Sequence, residues 1–122
     1  MNQSTKESGN EGEEIAANYL VQKGYEIVER NYFFSKGEID IIARDPSNNE
    51  LVFVEVKFKT NLEFGDPVYS VTKNKQRQLK RLAELYLYDK NIDEIDCRFD
   101  VITVLKLYNS EPVIEHYENA FM

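Results

Sequence analysis

One cysteine, Cys97, and one histidine, His116, are all this 122-residue chain has of the commonest soft metal ligands and nucleophile partners. A lone cysteine forbids an intramolecular disulfide and any multi-thiolate zinc site, and it fits a reducing compartment. A Cys–His dyad would need Cys97 and His116 to meet by chance. There is no G-x-x-x-x-G-K-[ST] phosphate loop and no nucleophile elbow. No run approaches the roughly 18 apolar residues of a spanning helix. Met1 to Asn10 is polar and lacks the apolar core of a secretory leader. These absences read as a cytoplasmic protein without a membrane partner. No stretch rich in proline, glycine or serine divides the chain. The expectation is a polar, disordered tail over 1–8 and one domain over 9–122.

Excess positive charge is missing too: the formal net charge is −7. That is awkward for a protein that handles nucleic acid, but net charge governs solubility and steering rather than what one face can do. The distribution is polarised. Residues 70–83 hold Lys73, Lys75, Arg77, Lys80 and Arg81 and no acid. Acids gather in the first helical segment and between Asp89 and Asp100.

What is present suffices for a core: 42% of residues are hydrophobic, enough for independent folding at this length. Ile15, Ala16, Tyr19 and Leu20 recur at helical spacing, which predicts a first helix over Glu11 to Lys23, stopped by Gly24. Strands are predicted over Tyr25–Phe34, Glu38–Arg44 and Leu51–Lys59, the last the most β-prone stretch. A loop over Thr60–Tyr69 leads to a second helix over Val71–Asp89, capped by Ser70 or Thr72. Strands over Cys97–Leu107 and Pro112–Tyr117 follow. The order α-β-β-β-α-β-β implies an α/β fold, a mixed five-stranded sheet flanked by helices.

Chemistry concentrates in two neighbouring strands. Gly37-Glu38-Ile39-Asp40 brings up one carboxylate, and Val52-Phe53-Val54-Glu55-Val56-Lys57 brings up another with an ammonium. Side chains alternate along a strand, so Glu55 and Lys57 share a face. One face of the second strand is Val52, Val54, Val56 and Phe58; the other starts as Leu51 and Phe53, then turns ionic at Glu55, Lys57 and Lys59. A core strand that turns ionic at its C-terminal end marks a cleft. Two carboxylates and a lysine suit Mg²⁺-assisted phosphodiester hydrolysis, because Mg²⁺ takes one or two carboxylates and keeps its waters. Asp40 and Glu55 would hold the metal, with the Val56 carbonyl as a further ligand. Lys57 would orient or help deprotonate the attacking water, or neutralise the charge that develops.

The residues G-E-I-D (37–40) and F-V-E-V-K (53–57) resemble the PD-(D/E)XK nuclease superfamily, of restriction-endonuclease-like fold, and within it the archaeal Holliday junction resolvases. Over about residues 9–121 the chain more closely resembles the YraN-type family of predicted endonucleases. Gly9, Gly12, Glu13, Ala16, Ala17, Tyr19, Leu20, Gly24, Tyr25, Asn31, Lys73, Arg98, Phe99, Asp100, Ala120 and Phe121 carry that resemblance together with the two motifs. It implies Asp40 and Glu55 as metal ligands, Lys57 as catalytic lysine and Glu13 as a helix-borne catalytic glutamate. Phe58-Lys59 stands where the family often has arginine. Implied with them are Mg²⁺ or Mn²⁺ as cofactor, DNA as substrate, branched or structured forms included, and, by analogy with resolvases, a homodimer.

Blander readings stand beside these. E-x-K tripeptides are common on half-exposed strands, and an acid in a helix's first turn is favourable by itself. Glu38 shares the Asp40 face and reads as a third ligand or a solvated strand-end carboxylate; Asp100 with Arg98 reads as a structural ion pair. Lys59, Lys73, Lys75, Arg77, Lys80 and Arg81 read as a phosphate-tracking stripe or as a solvated face. The alternative to an endonuclease is a non-catalytic nucleic-acid-binding or scaffold protein that keeps the nuclease fold.

Overall fold

The computed structural model describes residues 2–61 and 71–121, with side chains from residue 10 onward. Its elements are α1 (Asn2–Gln22), β1 (Glu26–Phe34), β2 (Gly37–Asp45), β3 (Glu50–Lys59), α2 (Lys73–Asp89), β4 (Cys97–Leu105) and β5 (Val113–Phe121). This is the expected α/β order. The strands form one sheet in chain order, β1-β2-β3-β4-β5. β3 and β4 run parallel and the other neighbours antiparallel, so the sheet is mixed. A parallel pair cannot be closed by a hairpin, and the segment bearing α2 makes that crossover.

Each helix covers one face. Ala16, Ala17 and Leu20 of α1 pack on Ile41, Ala43, Val52, Val54, Ile102 and Val104. Leu79, Leu82, Ala83 and Tyr86 of α2 pack on Ile39, Ile42, Leu51, Phe53 and Val101. β3 therefore sends even-numbered side chains to α1 and odd-numbered ones to α2, which is why Leu51 to Val54 is apolar without a break. Tyr86 meets Tyr32 edge-on at 5.1 Å, and Phe53, Phe99 and Phe121 stack in series at 5.6 and 5.2 Å.

The α1 contact is very close. A methyl group added at Gly12 would lie 2.6 Å from Phe58 Cβ, so only glycine lets the helix sit directly on β3. At its other end Gly24 adopts φ +95°, and the Tyr25 N–H donates to the Leu20 carbonyl at 2.9 Å.

Several boundaries differ from the sequence reading. α1 starts at Asn2, within the stretch expected to be a disordered tail and well before Glu11. Apolar periodicity is the sequence signal for that helix, and residues 1–10 are polar and carry none. α2 is capped by Thr72, whose Oγ1 accepts from the Lys75 N–H at 3.2 Å, while Val71 is buried just upstream of the helix. Ser70 and most of the Thr60–Tyr69 loop lie outside the described residues. β5 continues past Tyr117 to Phe121, where Phe121 reaches Phe99; the polar Glu118-Asn119 on this edge strand hid that extension. No described helix is long and apolar enough to cross a membrane.

Candidate metal centre

The regular pleat fails at Asp40. Ile41 and Ala43 face α1, yet Ile39, two residues before Ile41, belongs to the α2 side. Residues two apart on a regular strand share a face, so the alternation is interrupted between them. Across the hairpin, Asn31 has φ +53° and sits between the pairs Arg30↔Ile41 and Tyr32↔Ile39. The β2–β3 ladder runs from Asp45↔Glu50 to Ile41↔Val54 and stops there. Beyond it Asp40 Oδ2 accepts the Val56 N–H at 2.8 Å, so a carboxylate takes over the strand's hydrogen bond. The strands part around Asp40.

Into this gap α1 delivers Glu13, one residue after the Gly12 contact. One oxygen each of Glu13, Glu38 and Asp40 lies within 4.8 Å of the others. Asn31 Nδ2 donates to Glu13 Oε1 at 2.7 Å and to Glu38 Oε2 at 2.8 Å, holding both carboxylates from one amide. Among the described residues no lysine or arginine is ion-paired with these three carboxylates. Burial, then the neighbouring Glu55 charge, push the Asp40 carboxyl up to about 8; the Val56 N–H opposes them, while Glu13 and Glu38 add to them. Oxygens on one octahedral ion stand roughly 3 to 4 Å apart, which small rotations of these side chains would reach. The donor set is all oxygen, and among the described residues its negative charge has no cation partner. It fits a hard divalent cation.

Glu55 and Lys57 do share a face, as expected, with Lys57 Nζ 3.3 Å from Glu55 Oε2. Glu55 is 6% exposed and also lies 3.9 Å from Lys75 Nζ at the start of α2. Its carboxylate is thus turned toward two ammoniums, outside the three-carboxylate group. Glu38 stands inside that group, and Asn31 clamps it. For Asn31 the available signal was an asparagine in mid-strand, a residue that tolerates positive φ.

The basic stripe divides. Lys73, Arg77 and Lys80 line a groove between α2 and the end of β5, beside Ala120 and Phe121. Arg81 lines a second cavity, against the β1–β2 turn. Lys75 is drawn to Glu55, and Lys59 ends β3.

A second polar cluster lies under the C-terminal half of α1. Buried Arg98 donates to Asp100 at 3.0 Å, to Asp45 at 2.9 Å, to Glu50 at 2.8 Å and to the Tyr25 hydroxyl at 2.6 Å. Asp100 also meets His116 Nε2 at 2.7 Å and accepts the Asn119 N–H at 3.0 Å. Burial works to raise Asp100, but the hydrogen bonds from His116, Arg98 and Asn119 overcome it and hold the carboxyl below its ordinary value. This cluster is satisfied and structural, as the sequence reading of Arg98 and Asp100 had it.

The family model described as "Uncharacterised protein family UPF0102" matches residues 12–104. A UPF0102 protein of Chlorobaculum tepidum is 50% identical over 110 residues, covering 90% of this chain and 84% of its own. One from Clostridioides difficile is 43% identical over 118 residues, covering 97% and 99%. One from Pelobacter propionicus is 43% identical over 116 residues, covering 95% and 83%. The chain belongs to the UPF0102 family, the YraN-type family that its motifs resemble.

Proposed function

We propose that this protein is a Mg²⁺- or Mn²⁺-dependent endonuclease that hydrolyses phosphodiester bonds in DNA, with branched or structured DNA as the preferred form. The observation that carries this reading is the group Glu13, Glu38 and Asp40, without a cation partner among the described residues, with Asp40 also close enough to Glu55 to feel its charge where β2 and β3 part. Asp40 would hold the ion in company with Glu13 and Glu38; the motif's own set adds Glu55 and the Val56 carbonyl. A bound Mg²⁺ supplies Lewis acidity toward a phosphoryl oxygen and a more acidic water. Lys57, kept in place by Glu55, would donate to a phosphoryl oxygen or orient the attacking water. Lys73, Arg77 and Lys80 would follow the backbone without reading bases.

The test is a cleavage screen over linear, flap, fork and four-way DNA with Mg²⁺ or Mn²⁺. Cutting of at least one substrate is expected, and its loss in Asp40→Ala and in Lys57→Ala. Cleavage that persists in both variants removes this site from the reaction. The net charge of −7 favours the rival reading, a scaffold that binds nucleic acid without cutting it. Calorimetry separates the two: Asp40-dependent Mn²⁺ binding favours the enzyme, and no binding at millimolar metal favours the scaffold.

A further inference from the structure

The β1–β2 hairpin ends in two exposed aromatic residues: Phe33 is 67% exposed and Phe34 49%. Single exposed apolar residues are ordinary, but these sit at one particular place. Phe33 is the direct register partner of Glu38. Directly opposed residues of an antiparallel pair share a face, with Cβ atoms about 5 Å apart. The ring therefore stands on the carboxylate side of the sheet, next to the Glu13, Glu38 and Asp40 group. Phe34 points to the other side, where with Lys36 and Arg81 it lines a cavity of about 240 Å³ against α2. The tip thus offers an exposed ring beside the metal group and two cations just behind it.

We propose that Phe33 is a stacking platform for an unpaired nucleobase of the strand whose phosphate lies at the carboxylate site, with Lys36 and Arg81 holding a neighbouring phosphate. This rests on the nucleic-acid reading above. Charge decides the occupant. A second copy of the chain seated on the same tip would bring two sets of Lys36 and Arg81 together, which like-charge repulsion opposes. A nucleotide brings a π-face for the ring and phosphates for the cations. Stacking of this kind selects unpaired over paired bases, so the platform directs the protein to single-stranded arms, flaps or junction openings.

The chain has no tryptophan, so Phe33→Trp introduces a unique reporter on an exposed position where folding is not at stake. With Ca²⁺ present to neutralise the carboxylates, a single-stranded oligonucleotide is expected to quench the introduced indole, whereas a blunt duplex of the same length or inorganic polyphosphate leaves it unchanged. Phe33→Ala is expected to weaken single-strand binding roughly tenfold and to leave duplex binding unchanged. Binding without quenching overturns the proposal, as does an equal loss for both DNA forms or a dimer that Phe33→Ala dissociates. These readouts need no cleavage. A protein that stacks bases but never cuts with any metal fails the nuclease reading alone; one that cuts single-stranded arms equally well after Phe33→Ala fails the platform alone. Absence of binding to either form sinks both.

Discussion

Asp40 and Asp100 are both carboxylates sunk into the sheet, and their surroundings make them opposites. Asp100, with no exposed surface, is met by Arg98, His116 and a backbone N–H. Asp40 has one N–H and three other carboxylates around it. An acid pushed up to about 8 binds protons in the folded state that the unfolded chain, at an ordinary value near 3.9, has already released. Folding stability of the metal-free protein therefore falls as pH rises from about 4 to about 8. Asp40→Asn keeps an acceptor for Val56 and removes the charge. In EDTA the variant is expected to melt higher than the parent at pH 8, with the gap closing toward pH 5, while Mn²⁺ binding is lost. Thermal melts across that range check it; an unstable Asn variant at pH 8 would show that the Asp40 charge is already neutralised. A divalent ion has the opposite effect on the parent and is expected to raise its melting temperature most at pH 8, by binding only the folded form.

At the scale of elements, the site depends on how closely α1 approaches the sheet. Gly12 fixes that spacing, because any Cβ there collides with the Phe58 Cβ rather than with a pliable side-chain tip. Glu13 follows immediately, so its position is a consequence of this packing. Gly12→Ala is expected to cost about 1–3 kcal/mol by overpacking, read from urea unfolding. It is also expected to weaken Mn²⁺ binding by lifting Glu13 from Glu38 and Asp40. Full stability with unchanged metal affinity would mean that the helix yields without moving the site. The β2–β3 pair contributes differently. Its ladder stops at Ile41↔Val54, and that opening exposes the Val56 N–H to the Asp40 carboxylate. The pairing also shifts register between Ile27 and Glu29 and between Phe99 and Val101, but the opening beyond Ile41↔Val54 is the one that receives the Asp40 carboxylate.

For the whole molecule, two polar clusters on the α1 side set opposite responses to pH. In the Arg98 cluster burial pushes Asp45 up, but hydrogen bonds from Ser47 and Arg98 outweigh it and bring the carboxyl to about 2. A lowered acid stabilises the fold above its unfolded value near 3.9, and this contribution is lost as pH falls toward 2. Asp100 acts in the same direction. The metal-free protein is therefore expected to be most stable between about pH 4 and 6, declining on the alkaline side through Asp40 and collapsing on the acid side through Asp45 and Asp100. Arg98→Met leaves Asp45, Glu50 and Asp100 without their shared cation, at an expected cost of about 3–5 kcal/mol at neutral pH. Denaturant unfolding at pH 7 tests this; a loss well under that range would show that His116 and Ser47 suffice.

Much of this was legible in the residues. Alternation placed Glu55 and Lys57 on one face, and the Leu51–Val54 run marked the central strand, because both follow from period-2 geometry along a single segment. Helical spacing found the packed parts of both helices. It could not find the first turns of α1, whose polar residues carry no periodicity, or the end of β5, where an edge strand has little to bury. The membership of the carboxylate group was decided only in three dimensions. A pleat reversal at Asp40, a left-handed Asn31 and a helix resting on Gly12 gather Glu13, Glu38 and Asp40, while Lys57 and Lys75 draw Glu55 aside. Sequence specifies which side chains alternate along one strand; how far apart two strands and a helix stand depends on packing among segments far apart in the chain, and that distance determines which charges are left without a partner.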